Sequence, residues 1–272
     1  MCNESFSVLL SLYDKENPTF LNECLQSLQD QTLHSEQIVI IFDGYINPSL
    51  EAVVNSFQSK LPIEIIKLKK NVGLGMALNE GLKHCKFDLV ARMDTDDVCM
   101  RNRFEKQINY MHNNPKVAIT GSAIDEYDET LKNCLFTRKT KSQHLDIMNY
   151  AKYRSPFNHM TVVFRKSVVL KAGGYLHHLF MEDYNLWLRI LAIGSISYNF
   201  DESLVIARTG ISMIKRRKGK QYIKSELKLA RLKYQLSFNG MFSSIIIFLL
   251  RVSPRLLPST ALLKIYKILR NN

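Results

Sequence analysis

Apolar runs alternate with amphipathic stretches along the first third of the chain. Four runs of mostly apolar residues are candidate strands, and the stretches between them space their apolar side chains as one face of a helix does. Because the runs have few polar positions, both faces of each strand should be buried, which is typical of a parallel sheet covered by helices on both sides. The predicted strands are residues 5–13, 37–42, 63–68 and 87–91, and the predicted helices are residues 18–28, 50–57 and 75–85.

Polar residues and glycines follow each of these predicted strands. Ligands of parallel α/β sheets bind at the carboxyl ends of the strands. The four segments that follow the strands should therefore line one crevice. They are residues 13–14, 43–44, 69–73 and 94–97.

The pattern is less regular in the second half of the chain. It predicts a helix over residues 103–112, a strand over 117–120 and a loop-rich section over 125–155. A further helix begins at Glu182, because Leu186, Ile190 and Ile193 have helical spacing and Gly194 is placed as its stop. Acidic residues would then lie at the N-terminus of this helix.

Charge divides the chain into two parts. With 272 residues and 46% hydrophobic content, it is large enough for one sizeable core with an appendage. The formal net charge is +12, yet residues 215–272 hold 14 Lys or Arg against a single acid, Glu226, so the whole excess lies there. The asymmetry predicts a main domain of residues 1–214 and a basic helical segment of residues 215–272 that meets something anionic.

The basic segment is amphipathic. Residues 241–250 are apolar, but they are too few to cross a bilayer, which takes roughly 20 apolar residues in a helix. Near its end, one helix could carry apolar and basic side chains on opposite sides. These are Leu262, Ile265, Tyr266 and Leu269 on one side, and Lys264, Lys267 and Arg270 on the other. Two interpretations are open: the segment binds an anionic membrane surface, or it packs on the preceding domain.

The beginning of the chain and its cysteines favour the cytoplasm. The first apolar run lacks a basic flank and a small-residue cleavage site, so we expect a strand rather than a signal peptide, and a mature chain that starts near Met1. The five cysteines form no Cys-x-x-Cys pair. Reduced thiols are therefore the simple interpretation, with little support for a zinc site.

Residues 92–97, Arg-Met-Asp-Thr-Asp-Asp, hold three carboxylates in four positions. Like charges so close repel and raise one another's pKa, and a divalent cation is one means of holding them together. An isolated Asp-x-Asp is more often a solvated loop or a helix cap. Because Asp94 and Asp96 follow a buried strand and would share a side if it continued, the context favours a metal site.

Other candidates at the strand ends have both structural and functional interpretations. Asp43 could belong to a tight turn with Gly44, or accept a hydrogen bond from a nucleobase imide. Lys70 to Gly75 could approach phosphate oxygens or be a plain loop that enters a helix, and the known phosphate-loop spacings are absent. Arg208 could face phosphate, since a guanidinium suits that geometry.

Acceptor-side candidates lie later in the chain. His159 is either a structural hydrogen-bonding residue or a contact to pyrophosphate or acceptor. Glu182 and Asp183 would cap their helix favourably. A second acidic pair about 90 residues after the first is also what a division of labour needs, in which one set holds a metal and the other removes a proton.

Taken together, the motifs resemble family 2 glycosyltransferases, which are inverting enzymes with the GT-A fold for nucleotide-diphospho-sugars. The resemblance covers about residues 6–217, and five motifs occur in family order. They are residues 7–13 (Ser-Val-Leu-Leu-Ser-Leu-Tyr), 42–44 (Phe-Asp-Gly), 70–81 (the Asn-x-Gly helix entry), 93–97 (Met-Asp-Thr-Asp-Asp) and 181–187 (Met-Glu-Asp-Tyr-Asn-Leu-Trp). The resemblance implies a mostly parallel central sheet flanked by helices, with the basic helical extension added at the C-terminus.

The resemblance also implies roles for individual residues. Asp183 would be the general base, and Asp96, together with Asp94, would bind Mn²⁺ or Mg²⁺. Asp43 would accept from uracil, and Asp94 would contact the ribose or a metal-bound water. Further donor contacts would be Tyr13, Lys70, Asn71, Gly73 and Arg208, and acceptor or pyrophosphate contacts would be Glu182, His159 and Trp187.

Two departures from the family pattern concern the donor site. Asp43-Gly44 replaces a commoner acidic pair followed by glycine, and residues 207–210 (Ala-Arg-Thr-Gly) contain no histidine to serve as a later metal ligand. The Gln-x-x-Arg-Trp motif of processive enzymes is absent as well. We therefore expect one sugar to be added per encounter.

The resemblance predicts transfer of one hexose, galactose or glucose, from a UDP-sugar to a polyprenyl-diphosphate-linked sugar in bacterial O-antigen or exopolysaccharide synthesis. The enzyme would be peripheral on the inner face of the cell membrane, and no nucleic acid is expected as a partner because no recognition helix or aromatic platform is present. A sugar-nucleotide nucleotidyltransferase and a non-catalytic membrane-surface binding protein are the alternatives.

Overall fold

The computed structural model describes residues 5–209 and 219–253. Its helices and strands alternate through the first hundred residues, as the hydrophobic pattern predicts. The strands are β1 (Ser7–Leu12), β2 (Gln37–Phe42), β3 (Ile63–Lys67), β4 (Leu89–Arg92), β5 (Val98–Cys99), β6 (Val117–Tyr127), β7 (Cys134–Arg138), β8 (Val163–Arg165) and β9 (Ile196–Arg208). The helices are α1 (Pro18–Gln29), α2 (Pro48–Phe57), α3 (Leu74–His84), α4 (Arg103–Asn113), α5 (His144–Ala151), α6 (Lys166–Lys171), α7 (Glu182–Ala192), α8 (Lys220–Gln235) and α9 (Met241–Val252).

Local signals account for the ends of several helices. Asn17 accepts a hydrogen bond from the backbone N–H of Thr19 at the start of α1, and Pro18 occupies the first helical position. Asn47 caps α2 in the same way through the N–H of Leu50. Gly194 follows α7 with φ of +79°, a conformation that favours glycine, so the predicted stop is confirmed.

Within the described residues, the strands form one mixed sheet in the order β3-β2-β1-β4-β8-β6-β9-β5, with β7 paired to β6. The pairs among β1 to β4 are parallel. Strand β8 runs antiparallel to both β4 and β6, whereas β6 and β9 are parallel. The expected α/β fold with helices on both sides of a central sheet is confirmed; the sheet is parallel from β1 to β4 and mixes parallel and antiparallel pairs beyond them.

The section predicted to be loop-rich, residues 125–155, contains regular structure instead. Strand β6 extends to Tyr127, and β7 and α5 follow it. Most of β7 is exposed or half-buried, and α5 buries only Ile147 and Ala151. Elements so weakly buried carry little hydrophobic periodicity, which is why the sequence pattern did not indicate them.

Two hydrophobic clusters lie on opposite faces of the sheet. Successive side chains of a strand point to opposite faces, so Leu10 of β1 joins one cluster and Leu9 joins the other. Helices α1, α2 and α4 cover the first face, and α3 and α7 cover the second. This double covering explains why all six residues of β2 are buried.

The C-terminal helices pack on the main domain. Tyr222 and Leu229 of α8, and Phe238 after it, are buried in the same cluster as Trp187. The predicted boundary at residues 214–215, the basic residues Arg216 and Arg217, and the predicted terminal helix around residues 262–270 lie outside the described residues. Among the helices that are described, none combines the length and the apolar character needed to traverse a bilayer.

Candidate active site

The carboxyl ends of β1 to β4 meet at one edge of the sheet, because these strands are parallel neighbours. Contacts link the segments that follow them. The N–H of Asp43 donates to the carbonyl of Leu12 at 2.8 Å, and the Thr95 hydroxyl donates to the Glu16 carboxylate at 2.9 Å. The four segments that the sequence predicts to share a crevice therefore lie together.

Asp43 organises the turn that follows β3. Its side chain is buried, and its two carboxylate oxygens accept hydrogen bonds from the N–H groups of Val72 at 2.7 Å and Gly73 at 3.0 Å. Gly44 has φ of +88°, and a Cβ there would lie 2.6 Å from the backbone nitrogen of Asn71. The close approach of the two turns thus requires glycine at this position.

The predicted donor contacts differ in exposure. Tyr13 is 41% exposed at the end of β1, and Lys70 and Asn71 are exposed in the turn that Asp43 holds. These side chains can reach a ligand in the crevice. Their roles in donor binding stay predictions, as does the contact between Asp43 and a base.

Asp94, Asp96 and Asp97 form a compact acidic cluster after β4. Each residue contributes one carboxylate oxygen, and these three oxygens all lie within 4.8 Å of one another. Burial, followed by the charges of Asp94 and Glu16, raises the pKa of Asp96 to about 7. Burial and the neighbouring charges of Asp96 and Asp94 also raise the pKa of Asp97.

Donor groups from several elements hold this cluster in place. The buried Arg92 guanidinium forms an ion pair with Asp94, and the backbone N–H of Arg208 donates to Asp97 at 2.9 Å. Arg103, which is fully buried in α4, donates to the carbonyl of Arg92 at 2.7 Å. The acidic turn is therefore a braced structure rather than a solvated loop.

The chemistry of the cluster fits a hard divalent cation. Its ligand atoms are carboxylate oxygens, which Mg²⁺ and Mn²⁺ prefer, and one cation would relieve the repulsion that raises the carboxyl pKa values. Asp94 and Asp96 are half-buried and so can reach a ligand, whereas Asp97 is buried and receives the Arg208 N–H. Asp94 and Asp96 are accordingly the better placed of the three to bind a metal.

Tyr175 is buried near both the acidic cluster and the start of α7. Burial raises the pKa of its hydroxyl, the Arg92 guanidinium lowers it, and the carboxylates of Asp183 and Asp94 raise it further. Both carboxylates therefore act on one hydroxyl, one from the turn after β4 and one from α7. The two acidic motifs, about 90 residues apart in the sequence, meet around this side chain.

Glu182 and Asp183 occupy the first turn of α7, as predicted, and both are half-buried. A Cβ at Gly75 would lie 3.1 Å from Cγ of Glu182, so the starts of α3 and α7 approach closely. Burial raises the pKa of Glu182. The N-terminus of α7 thus faces the same end of the sheet as the donor-side turn.

The structure places three predicted site residues differently from simple ligand contacts. Trp187 is fully buried and packs its ring against Phe157 and His159. His159 lies with Nε2 3.1 Å from the Tyr175 hydroxyl, and burial and Arg92 lower its pKa, which keeps the ring neutral. Both rings pack against the ring of Tyr175.

Arg208 is the third predicted site residue whose position differs from a simple ligand contact. Its guanidinium stacks on Phe20 with 4.3 Å to the ring centroid and binds Glu23 and the carbonyl of Asp96. The side chain is 3% exposed. In this arrangement Arg208 stabilises the acidic turn. A direct contact between Arg208 and phosphate stays a prediction.

Two site residues, Arg92 and Tyr175, were missed by sequence reasoning. Arg92 left one signal: it is a charged residue at the end of a run that is otherwise apolar, immediately before the acids. Tyr175 lies in the irregular segment between α6 and α7. Its backbone N–H donates to the Asn79 side chain, and the Asn79 amide donates to the Tyr175 carbonyl. Nothing in hydrophobic periodicity distinguishes such a residue.

Comparisons with known proteins agree on one family. The family described as Glycosyl transferase family 2 matches residues 7–173. The amylovoran biosynthesis glycosyltransferase AmsE of Erwinia amylovora is 47% identical over 96% of this chain and 98% of its own length. An Escherichia coli protein named UDP-Gal:alpha-D-GlcNAc-diphosphoundecaprenol beta-1,3-galactosyltransferase is 38% identical over 96% of this chain and 95% of its own.

Solved structures show the same fold at lower identity. The crystal structure of S. aureus TarS residues 1–349 in complex with UDP-GlcNAc superimposes with a TM-score of 0.68 and 16% sequence identity. The match covers 92% of this chain and 72% of that one. The likeness extends beyond the family match at residues 7–173 to most of the chain.

Proposed function

Because this chain belongs to the family 2 glycosyltransferases and has their GT-A fold, we propose that it transfers one hexose from a UDP-sugar to a sugar carried on polyprenyl diphosphate. The observation that carries the proposal is that the acidic cluster and Asp183 both lie near Tyr175, which approaches Gly75 at the same place as Glu182 does. One set of carboxylates suits the diphosphate end of a donor, and the other suits an acceptor hydroxyl.

The donor would lie across the ends of β1 to β4. Asp43 is buried at the end of β2 with the exposed Tyr13 beside it on β1, which suits a base and its ring face. Asp94 and Asp96 would hold Mn²⁺ or Mg²⁺, which when bound would offset the negative charge that develops on the departing diphosphate. Lys70 would add a positive charge near the phosphates.

Asp183 would act as the general base in a single displacement. It takes the proton of the acceptor hydroxyl, the oxygen forms a bond to the anomeric carbon, and the bond from that carbon to UDP breaks on the opposite face. The configuration inverts and no sugar–enzyme bond forms. Its half-buried position at the start of α7 leaves the carboxylate accessible to an acceptor.

The substrates are proposed by analogy with the E. coli relative, whose name specifies UDP-Gal and a GlcNAc-diphosphoundecaprenol acceptor. Galactose is accordingly the first donor sugar to test, followed by glucose. The AmsE name places a second relative in amylovoran biosynthesis. A lipid-linked acceptor would require the enzyme to work at the inner surface of the cell membrane.

A panel of nucleotide sugars tests the proposal directly. The protein is incubated with each donor, a synthetic lipid-diphosphate-linked GlcNAc and either Mn²⁺, Mg²⁺ or a chelator. We expect UDP and a disaccharide lipid with inverted configuration from one UDP-hexose, and little product with the chelator. Release of pyrophosphate in place of UDP would indicate nucleotidyl transfer and contradict the proposal.

A further inference from the structure

The outer side of helix α9 is a continuous apolar face. Six large apolar side chains on this helix of 12 residues are between 50% and 77% exposed. They are Met241, Phe242, Ile245, Ile246, Leu249 and Leu250. We call them the α9 face; it is the densest group of exposed apolar residues in the described part of the chain.

The opposite side of α9 is already used in packing. Ser244, Ile247, Phe248 and Arg251 follow at helical spacing and line a small gap against α8. Arg251 forms an ion pair with the buried Glu226 of α8 at 2.7 Å. The helix is therefore docked through one side, and nothing in residues 5–209 or 219–253 covers the other.

Exposed charge on the neighbouring helix has one sign. Glu226 is the sole acid of residues 219–253, and it is 2% exposed and paired with Arg251. Lys220, Lys224, Lys228 and Arg231 of α8 are exposed along one stripe at steps of three or four residues. The α9 face thus belongs to a helical pair whose exposed charges are all positive.

The helical pair is fastened to the acceptor side of the candidate site. Arg251 and Lys233 both lie over the ring of Tyr184, which follows Asp183 in α7. The Lys233 ammonium also donates to the carbonyl of Lys152 at 2.9 Å. Whatever binds the α9 face is therefore held at a fixed position relative to the start of α7.

We propose that α9 lies in the plane of an anionic lipid bilayer, with the α9 face inserted among the acyl chains. The proposal rests on the proposed function, which places the acceptor in a membrane. Helices with a broad apolar face and adjacent positive charges bind such surfaces without spanning them. The rigid attachment through Tyr184 would hold Asp183 at a constant height above the lipid.

Charge favours a lipid surface over a second copy of the chain. Residues 215–272 hold 14 basic residues and one acid, so two copies that met through their α9 faces would bring two strongly positive segments together. An anionic headgroup layer attracts the same charges. The basic residues of segments 215–218 and 255–270, eight in number, add to this attraction whatever their conformation.

Sedimentation of the full chain with lipid vesicles tests the proposal. Vesicles of phosphatidylcholine with and without phosphatidylglycerol are compared for the wild type, Phe242→Ser/Ile246→Ser, and Lys224→Gln/Arg231→Gln. We expect the wild type to bind mainly the anionic vesicles, and the α9 variant to lose at least about tenfold in partitioning because apolar insertion is removed. The charge variant should bind more weakly and with less dependence on salt.

A matched control separates vesicle binding through the α9 face from non-specific adsorption by exposed apolar residues. Leu145 and Leu170 are 75% and 56% exposed on α5 and α6 and do not belong to the α9 face, so Leu145→Ser/Leu170→Ser should bind vesicles as the wild type does. Wild-type protein that stays in the supernatant would overturn the proposal. So would unchanged binding by the α9 variant, or a wild-type dimer that this variant converts to monomer.

Failure of the proposed function would look different. With a short-chain, water-soluble acceptor, the α9 variant should transfer sugar at the wild-type rate, whereas it should be slower on acceptor embedded in vesicles. Absence of transfer to either acceptor by the wild type would contradict the proposed function. Loss of vesicle binding by the α9 variant would still support the membrane assignment in that case.

Discussion

Arg92 is the residue on which the acidic turn depends most. Its guanidinium is fully buried, and the carboxylates of Asp94 and Asp97 and the Tyr175 oxygen offset the cost of that burial and raise its pKa. Its Nε and Nη1 atoms have no hydrogen-bond partner among the described residues. A buried cation that lies beside several acids stabilises them chiefly through charge.

Replacement of Arg92 by methionine should therefore destabilise the protein. We expect Arg92→Met to lower the free energy of unfolding by about 2–4 kcal/mol in the presence of a chelator, because three carboxylates lose their buried counter-charge. Urea denaturation measures the loss, and added Mn²⁺ should restore part of it. Lys67→Met, which breaks an exposed pair with Glu51, is the control and should change stability by less than about 1 kcal/mol. Equal stability of Arg92→Met and the wild type would contradict this role.

Asp43 stabilises the turn after β3, a role that the sequence did not indicate. Asp43→Asn keeps one acceptor oxygen for the two N–H groups of Val72 and Gly73, so we expect the free energy of unfolding to fall by about 1–3 kcal/mol. The affinity for UDP should weaken as well, because the turn shapes the donor side. Calorimetric titration with UDP and urea denaturation measure the two effects. Asp146→Asn, an exposed acid in the first turn of α5, should alter neither, and full UDP affinity in Asp43→Asn would exclude Asp43 from the donor site.

At the scale of elements, the sequence predicted the part of the fold in which hydrophobic runs are uninterrupted. The strands β1 to β4 and the helices between them were predicted because β1, β2 and β4 are almost entirely buried. The expected crevice followed from parallel pairing alone. These elements are also those that position Asp43 and Asp94.

The part of the sheet beyond β4, which mixes parallel and antiparallel pairs, could not be predicted in the same way. Strand β8 has three residues, and its pairing with β4 and β6 brings together segments about 75 and 45 residues away in the chain. Neither length nor periodicity specifies such a partner. Nor does hydrophobic periodicity indicate that His159 and Trp187 pack against Tyr175.

Lys233 provides a pH test of how α8 is attached. Burial, followed by the charge of Arg251, lowers the pKa of this ammonium to about 7. Between pH 7 and the unfolded value near 10.5, the unfolded chain binds a proton that the folded chain has released, so the free energy of unfolding rises with pH in that window. Below pH 7 both states bind the proton and the full cost of burying the charge is present.

Lys233→Met should remove this dependence. We expect the wild type to gain stability relative to Lys233→Met from pH 7 to pH 9, by at most about 1.4 kcal/mol per pH unit. Asn239 still donates to the carbonyl of Lys152 in the variant, so that group keeps a partner. Urea denaturation at several pH values is the measurement, with the exposed Lys224→Met as control. If the free energies of unfolding of the wild type and Lys233→Met changed with pH in parallel, the Lys233 ammonium would not be buried in this way.

At the scale of the whole molecule, three parts meet around one end of the sheet. The donor-side turns follow β1 to β4, the acidic cluster is braced by Arg92, Arg103 and Arg208, and α7 brings Asp183 toward Tyr175. The family resemblance drawn from five motifs is confirmed by the match over residues 7–173. The motifs did not indicate the buried residues Arg92 and Tyr175, which lie near both acidic motifs.

The helical pair α8 and α9 extends this arrangement beyond the family match. One of the two interpretations of the basic segment, packing on the domain, holds for α8 in the described residues, because Tyr222 and Leu229 are buried there. The other, membrane binding, stays a proposal, and the α9 face is the surface proposed for it.

The central claim is that the acidic cluster and Asp183 serve one reaction in different roles. The most direct test measures UDP binding and sugar transfer side by side for the wild type, Asp96→Asn and Asp183→Asn, with Mn²⁺ present. We predict that Asp96→Asn loses metal-dependent UDP binding, whereas Asp183→Asn binds UDP as the wild type does and transfers sugar at least about 100-fold more slowly. Asp146→Asn, an exposed acid in the first turn of α5, should retain both properties. Transfer at the wild-type rate by Asp183→Asn, or by the double variant Asp96→Asn/Asp183→Asn, would contradict the account.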